Sequence, residues 1–214
     1  DITRLSEDEL TVLRNQKIGF VFQQFHLLSK ARSLENILLP TRYPSEFASA
    51  TRENLKKAIG LAEQLGITNQ LEHLPNQLSG GQQQRVAIAR ALMNEIELIL
   101  ADEPTGNLDS QNAQQILDLL SDLNRQGKTI ILITHDSEVA KRCSKVYHLK
   151  DGAFTHVVDN YEPPPRSADP PRKIKKGLTL PAAYSLRLYR RIAKSVFPLV
   201  LENLLRNKAK SLLT

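Results

Sequence analysis

The 214-residue sequence predicts an α/β fold with a mainly parallel sheet, followed by a proline-rich linker and a basic amphipathic helical tail. Short runs of strand formers at 17–22, 96–101 and 129–134 alternate with longer stretches of helical periodicity. The second and third runs are apolar at successive positions, as strands covered on both faces are. From residue 160 the composition changes, first to proline and then to basic residues interleaved with leucine.

The elements follow in order. Residues 1–15 read as a polar helix, with Ser6 and Glu9 spaced as a capping box. The first strand runs to Phe22 and breaks at Gln23-Gln24-Phe25-His26. Residues 33–39 form a short helix stopped by Pro40. Residues 51–65 put Leu55, Ile59, Ala62 and Leu65 on one helical face, and Gly66 ends that helix. After a polar connector, Ser79 opens a helix reaching Asn94. The second strand ends at Asp102-Glu103-Pro104. Residues 110–126 form a helix whose inward face is Ile116, Leu119, Leu120 and Leu123, closed by Gly127. The third strand ends at His135-Asp136. A short helix covers 137–143, and Asp151-Gly152 marks the turn of a hairpin.

Composition narrows the function classes. The hydrophobic fraction of 41% and charged fraction of 24% are ordinary for a globular chain. The single cysteine, Cys143, excludes an internal disulfide framework and a multi-cysteine metal site, and suits a small buried apolar role. No secretory signal and no unbroken apolar span is present, and the first residue is Asp, so the start is expected to be missing or processed. The net charge of +6 divides unevenly, with twelve Lys and Arg against three Asp and Glu from Asn160 onward. A basic tail therefore follows a slightly acidic body, which points to an anionic partner, membrane surface or nucleic acid.

In parallel sheets ligands gather at the carboxyl ends of strands, and three strands here end in polar groups. Asp102 could hold Mg²⁺ directly or through water. Glu103 could take a proton from attacking water. An Asp-Glu pair after a strand is also a common solvated loop edge. His135 could bond a terminal phosphate or orient water, and Gln23 could reach Mg²⁺ or water through its amide. Asp109 could simply cap the helix that follows. Ser79, Gly80, Gly81 and Gln82 open a helix whose free N–H groups suit a phosphate, and two glycines let a ligand approach the backbone.

The order Gln23, Leu78-Ser79-Gly80-Gly81-Gln82-Gln83-Gln84-Arg85, Leu98 to Asp109 (LILADEPTGNLD) and Thr134-His135-Asp136 resembles the nucleotide-binding domain of ABC transporters. The resemblance covers residues 1–158 and is strongest toward the MacB/LolD-like branch of macrolide-export and lipoprotein-release ATPases. It implies a P-loop NTPase-type sheet with a helical signature subdomain, and ATP with Mg²⁺ as cofactors. It makes Gln23 the Q-loop residue, and Ser79 to Gln82 the signature facing ATP held by a second nucleotide-binding domain in a homodimer. By the same resemblance Asp102 is the Walker B aspartate for Mg²⁺, Glu103 the general base, Asp109 a D-loop residue and His135 the switch histidine. Residues 23–39 would meet the coupling element of a transmembrane permease partner at the cytoplasmic face of the bacterial inner membrane.

The family's phosphate loop, G-x-x-x-x-G-K-[ST], is absent from the sequence. Gly127-Lys128-Thr129 copies its end, but Asp122 stands where the first glycine belongs, and a strand follows instead of a helix. The resemblance places the true loop upstream, so residues 1–159 read as a partial domain. Residues 160–180 read as the linker, and 181–214 as amphipathic helices leading to a C-terminally fused permease and apt for an anionic membrane surface. The alternatives are a non-functional remnant of a truncated gene and a soluble ABC-type ATPase with a nucleic-acid-binding arm. The tail's helically spaced leucines disfavour nucleic acid.

Overall fold

The computed structural model describes residues 4–42, 52–94 and 96–160; the expected linker beyond Asn160 and the tail helices lie outside the described residues. Helix α1 (Glu7–Lys17) leads into strand β1 (Ile18–Phe22), then helices α2 (Ser33–Leu38), α3 (Arg52–Gln64) and α4 (Gly80–Ala91). Strand β2 (Leu98–Asp102), helix α5 (Ser110–Arg125), strand β3 (Thr129–Ile133) and helix α6 (Ser137–Ala140) follow, and a hairpin of β4 (Lys145–Lys150) and β5 (Ala153–Asp159) closes the series.

Strands β1, β2 and β3 form a parallel sheet in that order. Its register sets Phe22 beside Asp102 and Asp102 beside Ile133, so the three chains leave the sheet at one level. Gly19 is needed where β1 passes α4. A side chain there would lie 2.5 Å from Ile96 Cδ1 and 3.1 Å from the Ala91 carbonyl. Val21, Ile99 and Ala101 are fully buried on the face turned to the helices.

Helices α2, α3 and α4 pack together beside the sheet, burying Leu34, Ile37, Leu55, Ile59, Val86 and Ile88. Asn36, also fully buried, serves as a local staple. Its Nδ2 donates to the carbonyls of Leu28, Ala31 and Arg32, and its Oδ1 accepts from the Leu28 N–H at 2.8 Å. Helix ends follow the sequence chemistry. Ser6 and Glu9 cap α1 reciprocally, and Gly66 ends α3 at φ +67°.

Some boundaries shift, with α4 ending at Ala91 rather than Asn94, β2 starting at Leu98 rather than Ile96 and α6 ending at Ala140, and three further expectations change. The first helix starts at Glu7 and runs through Lys17, which the sequence assigns to the strand. On α5 the buried set is Ile116, Leu117, Leu120 and Leu123, with Leu119 half-buried, because the helix is rotated to turn Leu117 inward. Strand β3 is not doubly buried. It is one of the two outer strands of the described sheet, and among the described residues nothing covers its far face, leaving Ile131 51% and Ile133 59% exposed. Gly127 at φ +93° makes the α5–β3 connection a turn, as its sequence context implies. Cys143 is half-buried, and burial pushes its thiol pKa up.

In urea unfolding of this chain, Ile99→Ala is expected to cost about 2–5 kcal/mol through the cavity it leaves. Ile131→Ala on the open face is expected to cost under about 1 kcal/mol. Equal costs would contradict the one-sided burial of the sheet.

Candidate functional site

Because the strands end level, Gln23, Glu103 and the Thr134-His135 pair leave the same edge of the sheet. Glu103 occupies the left-handed region at φ +45°, a conformation that costs a non-glycine residue on the order of 1 kcal/mol or more. Its backbone N–H donates to the Ile133 carbonyl at 2.9 Å, which extends the β2–β3 pairing into the turn and holds the strained residue there.

The Glu103 carboxylate is met entirely by the exit of β3. Oε1 accepts the His135 N–H at 2.8 Å and lies 2.6 Å from His135 Nδ1, while Oε2 accepts from Thr134 Oγ1 at 3.3 Å. A carboxylate at that distance places the ring proton on Nδ1. The His135 side chain is 87% exposed and that of Glu103 only 18%. The pair thus joins a sheltered carboxylate to a ring open to solvent. Asp102 is exposed at the end of β2.

Gln23 is half-buried and forms a reciprocal pair with Asn107. Its Nε2 donates to Asn107 Oδ1 at 3.3 Å, and Asn107 Nδ2 donates to the Gln23 carbonyl at 3.0 Å. Gly106 permits this approach, since a side chain there would lie 2.6 Å from Gln23 Nε2. Arg90 on α4 steadies the following turn by donating to the Phe25 and His26 carbonyls at 2.8 and 2.5 Å.

Ser79 caps α4 as the sequence indicates. Its Oγ accepts the Gln82 N–H at 3.3 Å, and Gln82 Oε1 accepts the Ser79 N–H at 3.0 Å. The two glycines have a packing role as well as room for a ligand. A Cβ at Gly80 would sit 3.2 Å from Leu108, and one at Gly81 would sit 2.8 Å from Asn112 Cγ. Asn112 is held by Asp109, which caps α5 by accepting the Asn112 N–H at 2.9 Å. That backbone bond, first among its contacts, holds the Asp109 carboxyl below its ordinary range.

The structure therefore joins Glu103 to His135, Gln23 to Asn107, and the Ser79–Gly81 turn to the 107–112 segment. Among the described residues no hydrogen bond joins Ser79–Gln82 to Glu103 or His135 directly. Thr134, Asn107, Arg90 and Gln84 have no assigned role in the sequence reading. Gln84 had a signal, since it follows Gly81 and precedes Ile88 on a helix stripe that is otherwise non-polar.

Against this geometry, the family model described as "ABC transporter" matches residues 2–106. The solved dimeric structure of MJ0796, a bacterial ABC transporter cassette, is 45% identical with a TM-score of 0.66, over 74% of this chain and 69% of that one. The chain belongs to the ABC transporter ATP-binding family. MJ0796 has also been solved as a dimer in a post-hydrolysis state bound to ADP and Pi, at 44% identity, a TM-score of 0.66 and the same coverage. The macrolide export ATP-binding/permease protein MacB of Chlorobaculum tepidum is 48% identical over 160 residues. That match takes in 75% of this chain and 24% of the relative, so the chain spans about a quarter of the length of the curated relatives it matches.

Gly81→Ala is expected to lower the thermal midpoint, and Asn112→Ala added to it to recover part of the loss by clearing the space. Additive losses in the double variant, read by calorimetry, would show that the two residues do not compete for that space.

Proposed function

We propose that the protein carrying this chain hydrolyses ATP between two copies of the domain and couples hydrolysis to export or release through a permease. The observation that carries the reading is the Glu103–His135 pair at the level strand ends, 2.6 Å apart, with Asp102 beside it. The family membership and the dimeric MJ0796 cassette support a pair of domains, which the proposal arranges head to tail. In that arrangement Ser79 to Gln82 of one protomer faces ATP held mainly by the other, and Asp109 lies near the interface.

Glu103 is suited to polarise water because it is sheltered and ionisable, and the strained backbone aims it out of the sheet edge. In the described arrangement His135 occupies its Oε1. An anionic terminal phosphate would draw the His135 ring and free the lone pair it meets on that oxygen for water, while the His135 N–H keeps its bond there. The oxygen donors of Asp102 and Gln23, on neighbouring level strand ends, fit Mg²⁺, which prefers few protein ligands and several waters. When bound, Mg²⁺ would neutralise charge on the terminal phosphates.

The phosphate loop is expected from a segment outside these 214 residues. The permease, by likeness to the MacB relatives, is expected to be fused C-terminally. On this reading the domain works at the cytoplasmic face of the bacterial inner membrane, with the basic tail against the lipid surface. No helix among the described residues is long and apolar enough to cross a membrane. The nucleic-acid and gene-remnant alternatives gain no support from the relatives.

Glu103→Gln in the complete protein is expected to reduce ATP turnover by at least about a hundredfold while retaining ATP binding. Turnover near that of the unmodified protein would remove Glu103 from the role of base. The 214-residue chain alone, lacking the phosphate loop, is expected to bind Mg-ATP weaker than micromolar by calorimetric titration.

A further inference from the structure

Gln84 is one of the few polar side chains sealed inside the described core, at 0% exposure. It lies on α4, one turn in from Gly80 and Gly81. Its Nε2 donates to the Pro104 carbonyl at 2.8 Å, across 20 residues of sequence. Among the described residues its Oε1 is buried without a hydrogen-bond partner. Rotating the amide would set two oxygens against each other, so the Pro104 carbonyl fixes its orientation.

The amide meets the buried Pro104 carbonyl while its own Oε1 stays unmet, an arrangement that packing alone does not require. The partner indicates what the amide does. Pro104 directly follows Glu103, whose φ of +45° must be held from outside. Downstream, the same turn is pressed against α4 where Gly80 meets Leu108 and Gly81 meets Asn112. The turn is thus attached to α4 at both ends. The downstream contact is non-directional packing, and the upstream one is a single directed hydrogen bond.

We propose that Gln84 is a positioning residue that ties the signature end of α4 to the turn carrying Glu103. The orientation of the Glu103 turn then depends on the helix whose first turn a protomer lends to its partner. This rests on the composite-site reading above. Gln84 touches no reacting atom and acts through Pro104.

The test uses the complete protein and steady-state ATP hydrolysis. Gln84→Met keeps the volume, removes the unmet oxygen and lacks the donor. It exchanges one unmet oxygen for another, the Pro104 carbonyl, so its unfolding temperature is expected to stay within a few degrees, with kcat lowered about 10- to 100-fold and KM for ATP within about twofold. Gln84→Glu can donate to the carbonyl when its buried carboxyl is protonated. At about pH 6 its kcat is expected to exceed that of Gln84→Met by about threefold or more. A Gln84→Met enzyme with unmodified kcat overturns the proposal, and so does a Gln84→Glu enzyme no faster than Gln84→Met at that pH. Glu103→Gln assayed alongside keeps the two readings apart. Its retained turnover would defeat the catalytic assignment, whereas its loss beside fully active Gln84 variants would defeat only the coupling.

Discussion

The level register of β1, β2 and β3 determines where the chemistry can be. Phe22, Asp102 and Ile133 stand side by side, so the next residues of each chain emerge into one small volume. A shift of one strand by a single residue would turn its side chains to the opposite face and move Glu103 away from His135. The register is held by burial of Ile99 and Ala101 on the central strand and by the close pass of Gly19 under α4. The apolar interior thereby sets the position of the polar edge.

Helix α4 is the second organising body. Its first turn carries Ser79 to Gln82, its buried face carries Gln84, and Arg90 near its end grips the turn after β1. Its fully buried Val86, Ala87, Ile88 and Ala89 give it little freedom to rotate. The turns that follow β1 and β2 are both read against this helix. The helix whose first turn carries Ser79 to Gln82 thus supports the turns after two of the strands.

Much of this was legible in the residues. Capping at Ser6 and Ser79, the left-handed Gly66 and the Asp151-Gly152 turn depend on neighbours within a few positions, so local chemistry determines them. The strand ends bearing Gln23, Asp102, Glu103 and His135 were legible for the same reason. What failed depends on distant neighbours. The apolar run in β3 looks the same in sequence whether or not anything covers it, and its exposure follows from its place at the sheet edge. The choice between Leu117 and Leu119 is set by the rotation of α5 against its neighbours. The Gln23–Asn107 pair spans 84 residues, beyond any local pattern.

The left-handed backbone at Glu103 has an evolutionary consequence. Glycine or asparagine would relax that conformation at little steric cost, so the most stable residue there differs from the one the site uses. Under the proposal that Glu103 is the base, selection for heat tolerance alone would favour replacements that remove it while improving the fold. Under the same proposal, Gly or Asn at position 103 would mark a homologous cassette that no longer hydrolyses ATP.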